Sequence, residues 1–128
     1  MVSPIRVLIA DDNPRSRGGL RALLNTWPEI QVVGQASNGR EAVCGVAECR
    51  PEVVLMDARM PVMDGLEATR LIKKKWPAVK IVVLTIYTTC QTEALAAGSD
   101  AFLIKGCPGE ELLAAILNGW EPCREEKA

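Results

Sequence analysis

The stretch Val53-Val54-Leu55-Met56-Asp57 decides the fold, because four apolar residues, two of them β-branched, run directly into a carboxylate. Such a short apolar run predicts a strand that is buried on both faces, as the strands of parallel sheets are. Asp57 then lies at the carboxyl end of an interior strand, where open α/β sheets keep their ligand sites. An Asp after a strand is more often a helix cap or a turn residue, so its role depends on its neighbours at that end of the sheet.

The composition is typical of one globular domain with no special class of partner. The chain has 128 residues, of which 48% are hydrophobic and 24% charged, and its net charge of −1 gives no reason to expect nucleic acid or a membrane as partner. No apolar run approaches the roughly 18 residues that span a bilayer and no signal peptide is recognised, so we expect a cytoplasmic protein. The five cysteines form no Cys-x-x-Cys pair and there is no histidine, which excludes the usual zinc sites and Ser-His-Asp catalysis.

Strand-like apolar runs alternate with helical stripes along the chain. Strands are predicted at residues 5–10, 31–36, 53–56, 80–85 and 101–105. Asn13-Pro14 predicts the start of the first helix, with a capping side chain before a proline, and an apolar stripe extends that helix to Trp27. A second helix is predicted after the turn at 37–39, with an apolar face over 42–47 and its end before Pro51. Further helices are predicted from the capping box Asp64–Glu67 to Trp76, from a Thr88 or Thr89 cap to Gly98, and from Cys107-Pro108 to Trp120. Five β units, each followed by an α unit, predict an α/β fold with a parallel sheet and helices on both faces.

Four of the predicted strands end in reactive side chains, namely Asp11 and Asp12, Asp57, Thr85, and Lys105. Because the carboxyl ends of parallel strands share one edge of the sheet, these residues can converge. Three neighbouring carboxylates repel one another unless a cation neutralises them, and an oxygen ligand set suits Mg²⁺ or Mn²⁺. A hard divalent ion, an ammonium and a hydroxyl together form a site for an oxyanion, where one carboxylate is free to attack phosphorus.

This set of residues, with Met60-Pro61 and Asp64-Gly65 after the third strand, resembles the receiver domain of two-component response regulators over roughly residues 5–120. The amino-acid sequence of residues 56–61 and 109–112 is similar to that of the NarL/FixJ (LuxR-type) class, which normally carries a C-terminal DNA-binding domain. The resemblance implies a flavodoxin-like (βα)5 fold, a doubly wound five-stranded parallel sheet with strand order 2-1-3-4-5. We expect the receiver domain at residues 1–121 and a tail or the start of a linker at 122–128, as in a domain excised from a longer regulator.

The resemblance also implies a metal site and a phosphoryl acceptor. Asp57 would accept the phosphoryl group. Asp12 would ligate Mg²⁺ directly, together with Asp57 and the backbone carbonyl of Arg59, and Asp11 would act mainly through a metal-bound water. Mn²⁺ is an alternative ion.

The remaining roles concern the phosphoryl oxygens and the partners. Thr85 and Lys105 would bind phosphoryl oxygens, and Phe102 would be the switch aromatic that moves with Thr85. The implied donor is a phosphohistidine on a sensor histidine kinase, and the only chemistry would be self-phosphorylation from that donor and self-dephosphorylation. A homodimer on phosphorylation is a further implied partner, whereas DNA would be bound only through a C-terminal domain absent from this chain.

Three residues depart from the family pattern or leave their role open. Ile86, followed by Tyr87, stands where the family usually has a small residue, so we expect altered phosphorylation or dephosphorylation kinetics. Gly106 stands where a polar residue or proline is common, which predicts a looser loop. Arg59 either shields the phosphoryl group or points into solvent.

Three other functions are weighed against the switch. Ile86 favours a receiver-like interaction module that no longer switches. A phosphohydrolase of the haloacid dehalogenase type is disfavoured because the first strand ends in Asp11-Asp12-Asn13 and not in an Asp-x-Asp pattern. An FMN-binding flavodoxin is disfavoured because no Ser/Thr/Gly-rich phosphate loop follows that strand.

Overall fold

Strands and helices alternate along residues 3–118, the part of the chain that this computed structural model describes. The strands are β1 (Ile5–Ala10), β2 (Ile30–Ala36), β3 (Val53–Met56), β4 (Lys80–Thr85) and β5 (Ala101–Ile104). The helices are α1 (Pro14–Leu24), α2 (Gly39–Cys49), α3 (Gly65–Lys75), α4 (Gln91–Ala97) and α5 (Gly109–Asn118), and a 3₁₀ turn (Thr88–Cys90) precedes α4. The predicted helix end at Trp120 and the predicted tail at residues 122–128 lie outside the described residues.

The five strands form one parallel sheet in the order β2-β1-β3-β4-β5, which confirms the predicted fold. β3 lies at its centre, and no residue of this strand is more than 1% exposed. Val53 and Leu55 pack into a core with residues of α1 and α5, whereas Val54 and Met56 pack into a second core with α2, α3 and α4. Because successive side chains of a strand point to opposite faces, a strand covered on both sides must be apolar throughout.

The strand register brings the chemically active residues to one edge. Ala10 at the end of β1 pairs with Met56 at the end of β3, so the residues that follow them, Asp11 and Asp57, emerge side by side. Thr85 at the end of β4 pairs with Ile104 at the end of β5, and Lys105 follows Ile104 at the same edge of the sheet. The convergence predicted from the sequence is therefore a consequence of parallel pairing.

The end of α1 differs from the prediction, because the helix stops at Leu24 and not at Trp27. The Thr26 N–H donates to the Leu23 carbonyl at 3.0 Å and the Trp27 N–H donates to the Leu24 carbonyl at 3.1 Å, which are the i to i−3 bonds of a tighter turn. Trp27 still packs on the core with α1 and α5. An apolar stripe alone cannot distinguish such a turn from one more turn of α-helix.

The threonine cap before α4 was also predicted wrongly, since neither Thr88 nor Thr89 occupies a capping position. Tyr87 precedes the 3₁₀ turn and Cys90 precedes α4, and no side chain caps either element. The Cys90 N–H is satisfied by the Tyr87 carbonyl at 3.1 Å. The helix ends before Gly98, whose φ of 103° is the left-handed conformation that favours glycine.

The predicted starts of α1 and α3 are confirmed. Asn13 Oδ1 accepts hydrogen bonds from the backbone N–H groups of Arg15 and Ser16, and Asp64 Oδ1 accepts one from Glu67 at 2.9 Å. Within residues 3–118, none of the helices has the length and apolar character needed to cross a bilayer. The cysteines of this range are free thiols, namely Cys44, Cys49, Cys90 and Cys107.

Candidate functional site

Asp57, Asp11 and Lys105 form a compact ionic cluster at the carboxyl edge of the sheet. Asp11 is 1% exposed and Asp57 8%. The Lys105 ammonium donates to Asp11 Oδ2 at 2.8 Å and to Asp57 Oδ2 at 3.1 Å. Sequence analysis predicted that these residues would meet, and the structure brings them into direct contact.

The backbone around Asp57 is held by its neighbours on both sides. The Asp57 N–H donates to the Ala10 carbonyl at 2.9 Å, and the Gly65 N–H donates to the Ala58 carbonyl at 2.9 Å. A Cβ added at Gly65 would overlap the Asp57 carbonyl oxygen. Gly65 is therefore needed so that the start of α3 can lie directly against the strand end that carries Asp57.

Asp11 is anchored by the first turn of α1. Its Oδ2 accepts a hydrogen bond from Ser16 Oγ at 2.6 Å, and its Oδ1 accepts one from the Asn13 N–H at 3.0 Å. Arg17 donates from its guanidinium to the Asp11 carbonyl at 2.7 Å. Sequence analysis missed Ser16 and Arg17. A hydroxyl in the first turn of a helix that begins beside an acidic pair is the signal that could have found Ser16.

The surroundings set the pKa values of the three ionic groups in different directions. Burial raises the pKa of Asp57, and the Lys105 ammonium offsets this only in part. Burial also acts to raise the pKa of Asp11, but hydrogen bonds from Lys105, Ser16 and Asn13 outweigh it, so that pKa is lowered. Burial opposes the charge on Lys105, yet its bonds to both carboxylates raise its pKa. The same ammonium thus leaves the pKa of Asp57 raised and that of Asp11 lowered, because Asp11 also accepts hydrogen bonds from Ser16 and Asn13.

The acidic cluster has the chemistry of a site for a hard cation. Asp11, Asp12 and Asp57 each place one carboxylate oxygen within 4.8 Å of those of the other two residues. Asp12 is exposed while the other two are buried, so the site has one open side. Oxygen donors at this spacing, with no thiolate or imidazole among them, fit Mg²⁺.

A cleft of about 450 Å³ opens above Asp57, and it is lined by Asp12, Asn13, Asp57, Arg59, Met60, Pro61, Ile86, Tyr87 and Lys105. Ile86 is 63% exposed and Tyr87 46%, so two large apolar side chains form part of its wall. The predicted position of Ile86 beside the site is confirmed.

Arg59 lies at the rim of this cleft with its side chain half exposed. Its N–H lies 3.4 Å from Asp57 Oδ1, and its guanidinium forms ion pairs of 3.8 Å with Asp64 Oδ2 and with Glu93 Oε1. The sequence left open whether Arg59 shields the phosphoryl group or points into solvent. In the structure its side chain borders both the cleft and the solvent, and it pairs with two carboxylates. The pair with Glu93 is another contact that sequence analysis missed.

Thr85 and Phe102 lie outside the cleft lining. Thr85 is fully buried, and its hydroxyl oxygen accepts a hydrogen bond from the Tyr87 N–H at 3.2 Å. Phe102 is partly buried and packs against the core with α2, α3 and α4. Gly106 has a φ of 92°, a left-handed conformation that favours glycine. This conformation explains why glycine stands where the family commonly has a polar residue or proline.

A family model of the response regulator receiver domain matches residues 7–117. The chain belongs to this family. Phosphorylation-dependent switching is the family's standard function. Curated relatives of this receiver domain include the transcriptional regulatory protein LnrK of Bacillus subtilis, which is 37% identical over 115 residues that make up 88% of this chain and 52% of the relative. The response regulator VraR of Staphylococcus aureus is 37% identical over 88% of this chain and 54% of the relative. This receiver domain thus spans about half the length of the curated relatives it matches.

Solved structures agree with this assignment. The receiver domain of the response regulator NarL from Mycobacterium tuberculosis superimposes with a TM-score of 0.87 at 28% identity, covering 92% of this chain and 97% of that one. The response regulator domain of Thermotoga maritima CheB superimposes with a TM-score of 0.83 at 34% identity, covering 89% and 94%. The predicted family and its NarL/FixJ class are confirmed.

Proposed function

We propose that this receiver domain is a phosphorylation-driven switch in which Asp57 accepts a phosphoryl group from a phosphohistidine of a sensor histidine kinase. The observation that carries the proposal is the placement of Asp57. It is a buried carboxylate that lines an open cleft, in contact with the Lys105 ammonium and beside two further carboxylates. Membership of the receiver family supports the same reading.

Asp12, Asp57 and the backbone carbonyl of Arg59 would hold Mg²⁺ directly, and Asp11 would act through a metal-bound water. When bound, the ion neutralises the acidic cluster and the charge that develops on the transferring phosphoryl group. Asp11 is suited to an indirect role because its Oδ2 already accepts from both Lys105 and Ser16.

The transfer itself depends on the nucleophile and on the ammonium. An oxygen of the Asp57 carboxylate attacks phosphorus, the P–N bond of the donor breaks, and its electron pair goes to the leaving imidazole nitrogen. Lys105 then exchanges its contact with Asp57 Oδ2 for a phosphoryl oxygen, while its bond to Asp11 keeps the ammonium in place. In the separate dephosphorylation step, water attacks phosphorus, the P–O bond to Asp57 breaks with its electron pair returning to the Asp57 carboxylate, and inorganic phosphate leaves while the water's proton passes to solvent. Domain-catalysed hydrolysis of this kind is part of the proposal.

Thr85 and Phe102 would carry the signal away from the site. The Thr85 hydroxyl is buried and accepts from Tyr87, so it must give up that bond and rotate towards the cleft to bind a phosphoryl oxygen. Phe102 lies on β5 beside β4, where its partner in register is Val83. Movement of Thr85 and Phe102 together would change the surface around α4 and β5.

The relatives supply the proposed context. The transcriptional regulatory protein LnrK and the response regulator VraR are about twice this length. Their length supports a receiver domain at residues 1–121, with a tail or linker at 122–128, that regulates a C-terminal DNA-binding domain in the cytoplasm. Phosphorylation would favour a homodimer, and DNA would be bound only by the second domain.

The experiment is intact-mass analysis after incubation with Mg²⁺ and a small acyl phosphate such as acetyl phosphate. Wild-type protein should gain one phosphoryl group, Asp57→Ala should gain none, and the exposed control variant Glu110→Ala should behave as wild type. An adduct that persists in Asp57→Ala, or no adduct on wild type, would disprove the proposal.

A second candidate, a receiver that binds partners without switching, is favoured by Ile86 and by the buried hydroxyl of Thr85. Amide hydrogen exchange distinguishes the two. A switch changes the protection of α4 and β5 when Asp57 is phosphorylated, whereas an interaction module leaves that protection unchanged.

A further inference from the structure

The Arg59–Glu93 ion pair connects the loop that borders the proposed phosphorylation site to α4. Arg59 belongs to the loop after β3, two residues beyond Asp57, and lines the cleft. Glu93 belongs to the first turn of α4. Through Arg59, the loop that follows the acceptor is thus connected to α4.

This pair is weak enough to be exchanged for another partner. The guanidinium lies 3.8 Å from each of Glu93 Oε1 and Asp64 Oδ2, well beyond the length of a charge-assisted hydrogen bond of about 2.8 Å. The side chain of Arg59 is 50% exposed and that of Glu93 is 61% exposed. Exposed pairs of this geometry contribute little, and salt screens them further.

A phosphoryl group on Asp57 would compete for the same guanidinium. It brings new negative charge and three acceptor oxygens into the cleft that Arg59 lines. The planar guanidinium binds phosphate oxygens with two parallel hydrogen bonds, a geometry that its present long contacts do not achieve. The phosphoryl group is therefore the stronger partner for Arg59.

We propose that Glu93 is a positioning residue that holds Arg59 at the rim in the unphosphorylated domain and loses it to the phosphoryl group on phosphorylation. This rests on the proposed function, that Asp57 is the phosphoryl acceptor. The exchange releases α4 from the acceptor loop. Because coupling between two sites is reciprocal, the Glu93 contact must weaken binding of the phosphoryl group by the same factor by which that group weakens the Glu93 contact.

The experiment is a double-mutant cycle on binding of beryllofluoride, a phosphoryl mimic, in the presence of Mg²⁺, followed by ¹⁹F NMR. Glu93→Gln should bind the mimic about two- to fivefold more tightly than wild type, the factor expected when an exposed ion pair no longer competes. Arg59→Ala should bind it more weakly than wild type. In the Arg59→Ala background, Glu93→Gln should have no further effect, since no guanidinium is left to release.

A matched control separates positioning from general electrostatics. Glu67→Gln removes one negative charge from the first turn of α3, as Glu93→Gln does from the first turn of α4, but among the described residues Arg59 pairs with Asp64 and Glu93 and not with Glu67. Its affinity for the mimic should equal that of wild type.

Two results would overturn the proposal while leaving Asp57 as the acceptor. One is an unchanged affinity in Glu93→Gln. The other is an equal gain from Glu93→Gln with and without Arg59, which would mean that only the net charge near the cleft matters. If wild-type protein fails to bind the mimic at all, the proposed function fails together with this inference.

Discussion

Replacing Lys105 by methionine tests the electrostatic design of the site without requiring phosphorylation. Lys105→Met keeps the length of the side chain but removes the ammonium that contacts both Asp11 and Asp57. Each lost bond to a charged group is worth about 1.5–3 kcal/mol, and two buried carboxylates are left facing each other. The free energy of unfolding should therefore fall.

The size of the loss is limited by protonation. The variant can relieve the repulsion by protonating one carboxyl of ordinary pKa 3.8, which at pH 7 costs about 4 kcal/mol at 1.36 kcal/mol for each pKa unit. The desolvation of the ammonium that is avoided reduces the loss further. We expect about 3 kcal/mol, which corresponds to a decrease in Tm of about 10 °C for a chain of this length.

The assay is urea and thermal unfolding at pH 7 in EDTA, repeated with Mg²⁺ and at lower pH. Mg²⁺ should stabilise the variant more than wild type, because the ion replaces the missing cation. Without Lys105 the folded-state pKa of the carboxyl pair lies above its unfolded value, so the destabilisation is present at neutral pH and disappears as pH falls through that raised pKa. The exposed control Lys74→Met should change stability by less than about 0.5 kcal/mol.

Equal stability of Lys105→Met and wild type in EDTA would refute this reasoning. So would an equal effect of Mg²⁺ on both proteins, since the ammonium and the metal would then not share the same carboxylates.

Four other substitutions, one of them a matched control, test particular features. Gly65→Ala should lower the free energy of unfolding by about 1–3 kcal/mol in urea titration, because the added Cβ overlaps the Asp57 carbonyl. The control Gly18→Ala has open space around the added Cβ in α1 and should raise the free energy of unfolding by up to about 1 kcal/mol. Equal effects of the two substitutions would contradict the packing argument. Val62→Asn should raise stability by about 1 kcal/mol, since Val62 is 77% exposed and has a φ of 70°; an unchanged Tm would contradict strain at this position. Ile86→Ala should alter the rate of phosphorylation of Asp57 or the half-life of its phosphoryl group, followed by intact mass over time, and two unchanged rates would remove Ile86 as a cause of altered kinetics.

Much of the fold could be predicted because local patterns and tertiary burial agree. The apolar run before Asp57 is a strand buried on both faces, and the side chains at Asn13 and Asp64 cap the helices they were expected to cap. The errors occur where local signals are ambiguous. Trp27 continues an apolar stripe through a 3₁₀-type turn, and the threonines near residue 88 follow Tyr87 in a turn that needs no side-chain cap.

Some features of the candidate site could likewise be predicted from the sequence, and others could not. Asp11, Asp57 and Lys105 could be assigned from sequence because parallel pairing brings every strand end to one edge, whatever the details of packing. The hydrogen bond that the Thr85 hydroxyl accepts from the Tyr87 N–H could not be assigned, because it depends on the course of the loop after β4.

By itself, the sequence determined the chemistry of this domain: three carboxylates, an ammonium and a hydroxyl at the ends of parallel strands. Their order along the chain was sufficient because backbone pairing imposes the convergence. Only the tertiary structure decided how Asp11 is anchored by Ser16 and how Arg59 reaches Glu93. These contacts join separate elements, so they depend on how the helices pack on the sheet, and no periodic pattern in the sequence encodes that packing.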